Sequence, residues 1–163
     1  MASEAISSSI MIIGAVLGAA VLITAILPAI FSAGDTFGTV SSSAEQKLRT
    51  DFRIVNTYTS GGTTVHVWLK NVGNNRISIY DIQSSDVFIG YGSKYGRLGY
   101  NDNEAAGTFK YILDSDDGYW DIGETVEIFI KNTNMGEIGE NTVTFTFTLP
   151  NSVRRSVTFS KTG

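Results

Sequence analysis

The sequence predicts an N-terminal single hydrophobic α-helix followed by an all-β antiparallel sandwich of seven or eight short strands, immunoglobulin-like in kind. Three observations carry this. No charged residue occurs from Ala5 to Phe31. From Asp51 onward apolar and polar residues alternate with period two, the pattern of antiparallel strands buried on one face. Turn-forming clusters of Gly, Asn, Asp and Pro separate the alternating runs. The expected organisation is a transmembrane or bundle helix over 1–33, a stalk or linker over 34–50 and a β-sandwich over 51–163.

The helix comes first. Ile10 to Phe31 is a run of 22 residues, apolar apart from Thr24. At about 1.5 Å per residue such a helix is roughly 33 Å long, against a hydrocarbon core of about 30 Å. It lacks the polar stripe of a helix half-buried in a soluble domain. A cleaved secretory signal would have a shorter apolar run and a basic start, and the first Lys or Arg here is Lys47. Gly14 and Gly18 form a small-xxx-small pair and Ala25 falls near the same face. These three are the candidate helix-packing residues, because small side chains let helix backbones approach closely in lipid. Pro28 is expected to bend the helix or mark its exit. Lys47 and Arg49 are the nearest cations and follow the span, so the positive-inside rule taken alone leans slightly towards a cytoplasmic C-terminal domain, a thin signal that the resemblance given below opposes.

Beyond Ser32, Gly34, Asp35 and Gly38 interrupt the apolar run, while Phe37, Val40, Ala44 and Leu48 recur at helical spacing. Either a short amphipathic extension hinged at Gly34–Gly38 or a flexible linker fits.

Strands are then expected near 51–58, 63–71, 76–82, 86–91, 108–113, 124–131, 141–149 and 153–160. Val65, Val67 and Leu69 alternate with His66, Trp68 and Lys70. Val126, Ile128 and Ile130 alternate with Glu127, Phe129 and Lys131. Val143, Phe145, Phe147 and Leu149 alternate with threonines. Gly61-Gly62 and Pro150-Asn151 look like hairpin tips.

Little in the composition offers chemistry. There are no cysteines and one histidine, which removes disulfides, thiol nucleophiles and imidazole clusters together. His66 falls on the polar side of its strand and reads as a surface residue. The net charge of −4 gives no basic footprint for nucleic acid. The stretch Asp114, Asp116, Asp117, Asp121 and Glu124 reads as a solvated acidic turn. Its spacing fails the calcium-loop pattern, with Gly118 one place early. Gly90–Tyr100 is not a dinucleotide fingerprint, since Tyr95 stands where the third glycine belongs and no helix follows. Tyr91, Tyr95 and Tyr100 on this glycine-rich stretch, read as a loop, are the candidate partner-binding residues. Asn-x-Ser/Thr does not occur. No catalytic residue, metal or cofactor is expected, and no enzyme.

Three segments carry a family resemblance. Met1-Ala2-Ser3-Glu4-Ala5-Ile6-Ser7, leading straight into an apolar span, is similar to the start of archaeal flagellum (archaellum) accessory protein G. Val67-Trp68-Leu69-Lys70-Asn71-Val72-Gly73 resembles that family's K-N-x-G strand–turn. Trp120-Asp121-Ile122-Gly123-Glu124-Thr125 resembles its W-x-x-G-E-T before a strand. The resemblance covers most of the chain, and the order and spacing of the segments say more than any one of them. It implies a pilin-like architecture, anchored in the membrane with the bulk of the chain outside the cell. The implied role is an anchoring or stator part of the archaellum, contacting protein F and the surface-layer protein, with lipid around the helix and a homo-oligomer or filament as a further possibility. A filament subunit such as an archaellin or pilin shares this layout. Because the sequence starts almost at the helix, without the basic leader of archaellins, the expectation is an accessory protein. A membrane-tethered ligand-binding module is the remaining alternative.

Overall fold

The structure, a computed structural model, describes residues 1–60, 63–92, 94–131 and 142–160. The chain forms two compact units, Met1–Ala44 and Glu45–Gly163.

The first unit is helical. Helix α1 runs from Ala2 to Arg49 without a break, and none of its residues is buried. It is long and apolar enough to cross a membrane. It passes through Pro28, Gly34 and Gly38 as helix, so of the two readings of the stretch after Ser32 the backbone follows the helical extension. Glycine costs a helix only about 1 kcal/mol. Hydroxyls bond back to the preceding turn here, Thr36 Oγ1 to Ser32 O at 2.8 Å and Thr39 Oγ1 to Asp35 O at 2.9 Å.

The second unit is the predicted sandwich. Its elements are β1 (Phe52–Ser60), β2 (Thr64–Asn71), β3 (Ile77–Ser78), α2 (Ile79–Gln83), β4 (Asp86–Tyr91), β5 (Lys94–Tyr100), β6 (Thr108–Ile112), β7 (Tyr119–Trp120), β8 (Thr125–Lys131), β9 (Thr142–Thr148) and β10 (Arg154–Ser160). Eight strands join in the order β1-β2-β8-β6-β5-β4-β9-β10, with β3 and β7 as a separate pair. Among the described residues all pairings are antiparallel except the short β5–β6 contact. The sheet curls until its ends approach. Asp51, just before β1, pairs with Arg155 of β10, whose guanidinium lies 6.0 Å from the Phe52 ring. The result is a sandwich close to a barrel.

The alternation decides what lies inside. Val65, Val67, Leu69, Val126, Ile128, Ile130, Val143, Phe145 and Phe147 are all buried. Phe52 meets Phe147 edge-on at 5.4 Å across the core, a favoured aromatic geometry. The Pro150-Asn151 tip is a hairpin, closed by Leu149 N–H to Val153 O at 3.0 Å. The expected tip at Gly61-Gly62 lies outside the described residues, although Ser60 and Thr64 pair across it.

Two local expectations are corrected. The run 76–82 is not one strand. β3 stops after two residues because the Ser78 side chain accepts from Tyr80 N–H and caps α2, which turns Ile82 into the core. Most of the described residues of the Gly90–Tyr100 stretch are strand and not loop: Gly90 and Tyr91 end β4, and Lys94–Tyr100 form β5. Its glycines hide the alternation, leaving Leu98 as the buried apolar residue of β5.

Candidate functional site

Two of the three motif segments meet at one end of the sandwich, where the chain leaves α1. Asn71 is fully buried there. Its side-chain amide donates to Asn75 O at 2.9 Å and Trp120 O at 3.1 Å, and its side-chain oxygen accepts from Gly73 N–H at 3.0 Å. Its backbone N–H and C=O bond to Glu124 O and Gly123 N–H. The Trp120 indole N–H donates to Glu124 O at 2.8 Å. Gly123 sits at φ +83°, where a side chain would be strained. Gly73 carries the other close approach. Its N–H reaches Asp51 O at 2.9 Å, and Asn74 N–H reaches Arg49 O at 2.8 Å. A Cβ at Gly73 would stand 2.6 Å from Arg49 O. The K-N-x-G and W-x-x-G-E-T segments therefore form one knot that grips the exit from the last turn of α1. The role is structural, and every buried polar group named is hydrogen-bonded.

The acidic turn feeds into this knot. Asp117 Oδ1 accepts from Tyr119 N–H at 3.0 Å, and Glu124 Oε2 accepts from Asp121 N–H at 2.9 Å. Among the described residues no group of three or more His, Asp or Glu could hold a metal ion. Two open clefts flank the sandwich. One of ≈ 360 Å³ is lined by Gln46, Thr50, Arg76, Asp81 and neighbours. Another of ≈ 270 Å³ lies over Gly90, Tyr95 and Thr144.

The candidate residues fall in different settings. Gly14, Gly18 and Ala25 lie on the exposed helix, and nothing lies within 4 Å of a Cβ at either glycine. Tyr91 is buried, so its ring belongs to the core. Tyr95 is 60% exposed and stacks on Phe88 at 5.6 Å. It lies across its strand partner Gly90, where a Cβ would meet the ring at 2.6 Å. Tyr100 is half-buried against Phe109 and Tyr111. Burial pushes its phenol up from the ordinary value, and the nearby Asp102 carboxylate adds to this. The three tyrosines do not form one surface.

The sequence reading missed a different surface. On the outer face of β1, β2 and β8, His66 stands among Tyr58 (5.9 Å), Trp68 (5.9 Å, stacked) and Phe129 (4.9 Å, edge-on). Its Nδ1 is 2.5 Å from Glu127 Oε1. The signal was present as large rings alternating with the buried valines and isoleucines. Only the pairing of β2 with β1 and with β8 brings them together.

Comparison with known proteins follows this architecture. The chain is 31% identical over 163 residues, covering 98% of itself and 99% of the relative, to an Archaeoglobus fulgidus protein described as "Uncharacterized protein". Solved structures share its fold. The archaellum periplasmic stator protein FlaG from Sulfolobus acidocaldarius aligns with TM-score 0.56 and 24% identity over 68% of this chain and 99% of that one. The FlaF and FlaG stator complex of the same organism gives 0.53 and 22%, over 66% and 87%. The archaeal flagellum of Methanospirillum hungatei strain JF1 gives 0.67 and 15%, over 97% and 94%. The model of the archaeal-type flagellin family matches residues 2–159, and the chain belongs to that family.

Proposed function

We propose that this chain is a structural, non-enzymatic part of the archaellum, held in the membrane by Ile10–Phe31 with its sandwich outside the cell. The observation that carries this is the pairing of a wholly exposed apolar helix with a self-contained sandwich, in a chain of the archaeal-type flagellin family. An apolar helix that buries nothing in its own chain requires lipid or other helices around it.

Within that role we favour an anchoring or stator function, with a FlaF-like protein and the surface layer as partners. Its support is the sandwich's likeness to FlaG over 99% of that chain and to the FlaF–FlaG complex. A filament subunit is the second reading. It is favoured by the flagellum structure, which aligns over 97% of this chain, helix included.

Isolation of the tagged full-length chain from native envelopes separates the two. A stator part is expected to come away in small amounts with a FlaF-like protein and surface-layer protein. A filament subunit is expected as an abundant polymer of itself. Recovery with no archaellum component at all would overturn both.

A further inference from the structure

The outer face of β1–β2–β8–β6 is an unusual face for solvent. Strand register places Tyr58 beside His66, His66 beside Phe129, and Trp68 beside Glu127. Tyr58 is 46% exposed, and Ile112 on β6 is 44% exposed. Around the rings the same register sets Arg53, Lys70, Lys110 and Lys131. Glu127, the one carboxylate on this face among the residues named, is hydrogen-bonded to His66, and Lys110 pairs with Glu104. Arg53, Lys70 and Lys131 make no ion pair with another described residue. This is a basic, aromatic plate on a chain whose net charge is −4.

The opposite chemistry lies in the same chain. Asp114, Asp116, Asp117 and Asp121 are exposed and join no ion pair among the described residues. Directly after Asp121 comes Ile122, an apolar side chain 60% exposed on the turn before β8. An exposed apolar side chain on an acidic stretch of chain complements a ring-lined plate bordered by cations in both charge and apolar contact.

We propose that this plate is the docking surface for a second copy of the chain, which presents its 114–124 turn with Ile122 seated on the rings of Tyr58, Trp68 and Phe129. The contact joins two different patches, so it is heterologous and propagates into a ring or an open row of sandwiches. It rests on the assembly role proposed above and specifies the surface that role would use.

The chain has no cysteine, which permits a direct test on the full-length protein in detergent. Tyr58→Cys and Ile122→Cys variants are prepared singly, mixed and oxidised. The expected result is a covalent dimer from the mixture and little from either variant alone. Reversing the border charges, with Lys70→Glu and Lys131→Glu together, is expected to weaken association at least about tenfold. Ile122→Ser should weaken it too, and as an exposed substitution should leave the melting temperature unchanged. Equal cross-linking of Tyr58→Cys with itself would make the plate self-facing and overturn the proposal. So would cross-linking of Tyr58→Cys in native envelopes only to a different protein. Absence of the mixed dimer while the wild type still sediments as an oligomer would overturn this surface and leave the assembly role standing. A wild-type chain that is monomeric at every concentration and joins no envelope complex would remove both.

Discussion

Asn71 shows what a single buried polar residue can hold. It has no exposed surface, and its side chain makes three hydrogen bonds that join β2, the 73–75 turn and Trp120. Asn71→Ala leaves those partners inside without a match, at a cost of about 2–4 kcal/mol. Lys70→Ala, next to it but exposed, should stay within about 0.5 kcal/mol. Thermal melting followed by tryptophan fluorescence compares them, and equal melting of the two would contradict the knot. Gly73→Ala forces a Cβ to 2.5 Å from Asp51 N, and backbone cannot yield as a flexible side chain can. A loss of about 1–3 kcal/mol is expected. Tyr100 supplies a pH dependence. Its phenol titrates above the ordinary value of 10.0 because burial, and then Asp102, disfavour the anion. The stability it contributes is therefore complete below about pH 10 and is lost as pH rises through the folded value. Melting curves from neutral to strongly alkaline pH should fall more steeply for the wild type than for Tyr100→Phe, and parallel curves would exclude this.

At the scale of elements, α1 and the sheet follow different rules. In α1 the small residues face open space in the isolated chain. A larger side chain at Gly18 meets nothing of its own molecule, so any effect must come from neighbours. Gly18→Leu is expected to leave helicity and sandwich melting unchanged. It should weaken helix-mediated association in detergent roughly tenfold, about 1.4 kcal/mol. Identical sedimentation of the two proteins would exclude Gly14–Gly18 as a packing face. In the sheet, glycine works in the opposite way. Gly90 is covered by Tyr95 from the neighbouring strand, and the pair keeps a glycine-rich strand in register. That is why Lys94–Tyr100 folds as strand although its composition reads as loop.

For the whole molecule, the distribution of charge matters more than its sum. The net value of −4 conceals a basic plate and an acidic turn on separate elements. Contacts between such patches weaken as salt shortens the screening length, whereas helix packing in lipid or detergent does not. Raising salt from about 0.05 M to about 0.5 M should therefore remove sandwich-mediated association and spare the part that depends on Gly18. Sedimentation of wild type and Gly18→Leu at both salts separates the two contributions. A salt-independent profile for Gly18→Leu would mean that the sandwich makes no charged contact.

The apolar helix, the period-two strands, the core valines and phenylalanines and the Pro150-Asn151 hairpin were legible in the sequence, because burial and backbone geometry imprint a period on neighbouring residues. The short helix at Ile79–Gln83, strand β5 and the burial of Tyr91 were not. They depend on a capping serine, on a glycine's partner in another strand and on which side of a curled sheet closes inward. The aromatic plate is the clearest case. His66 and Phe129 are 63 positions apart, and each alone is an ordinary outward residue. Pairing between distant strands is what sets them 4.9 Å from each other, and long-range pairing leaves no local period to read.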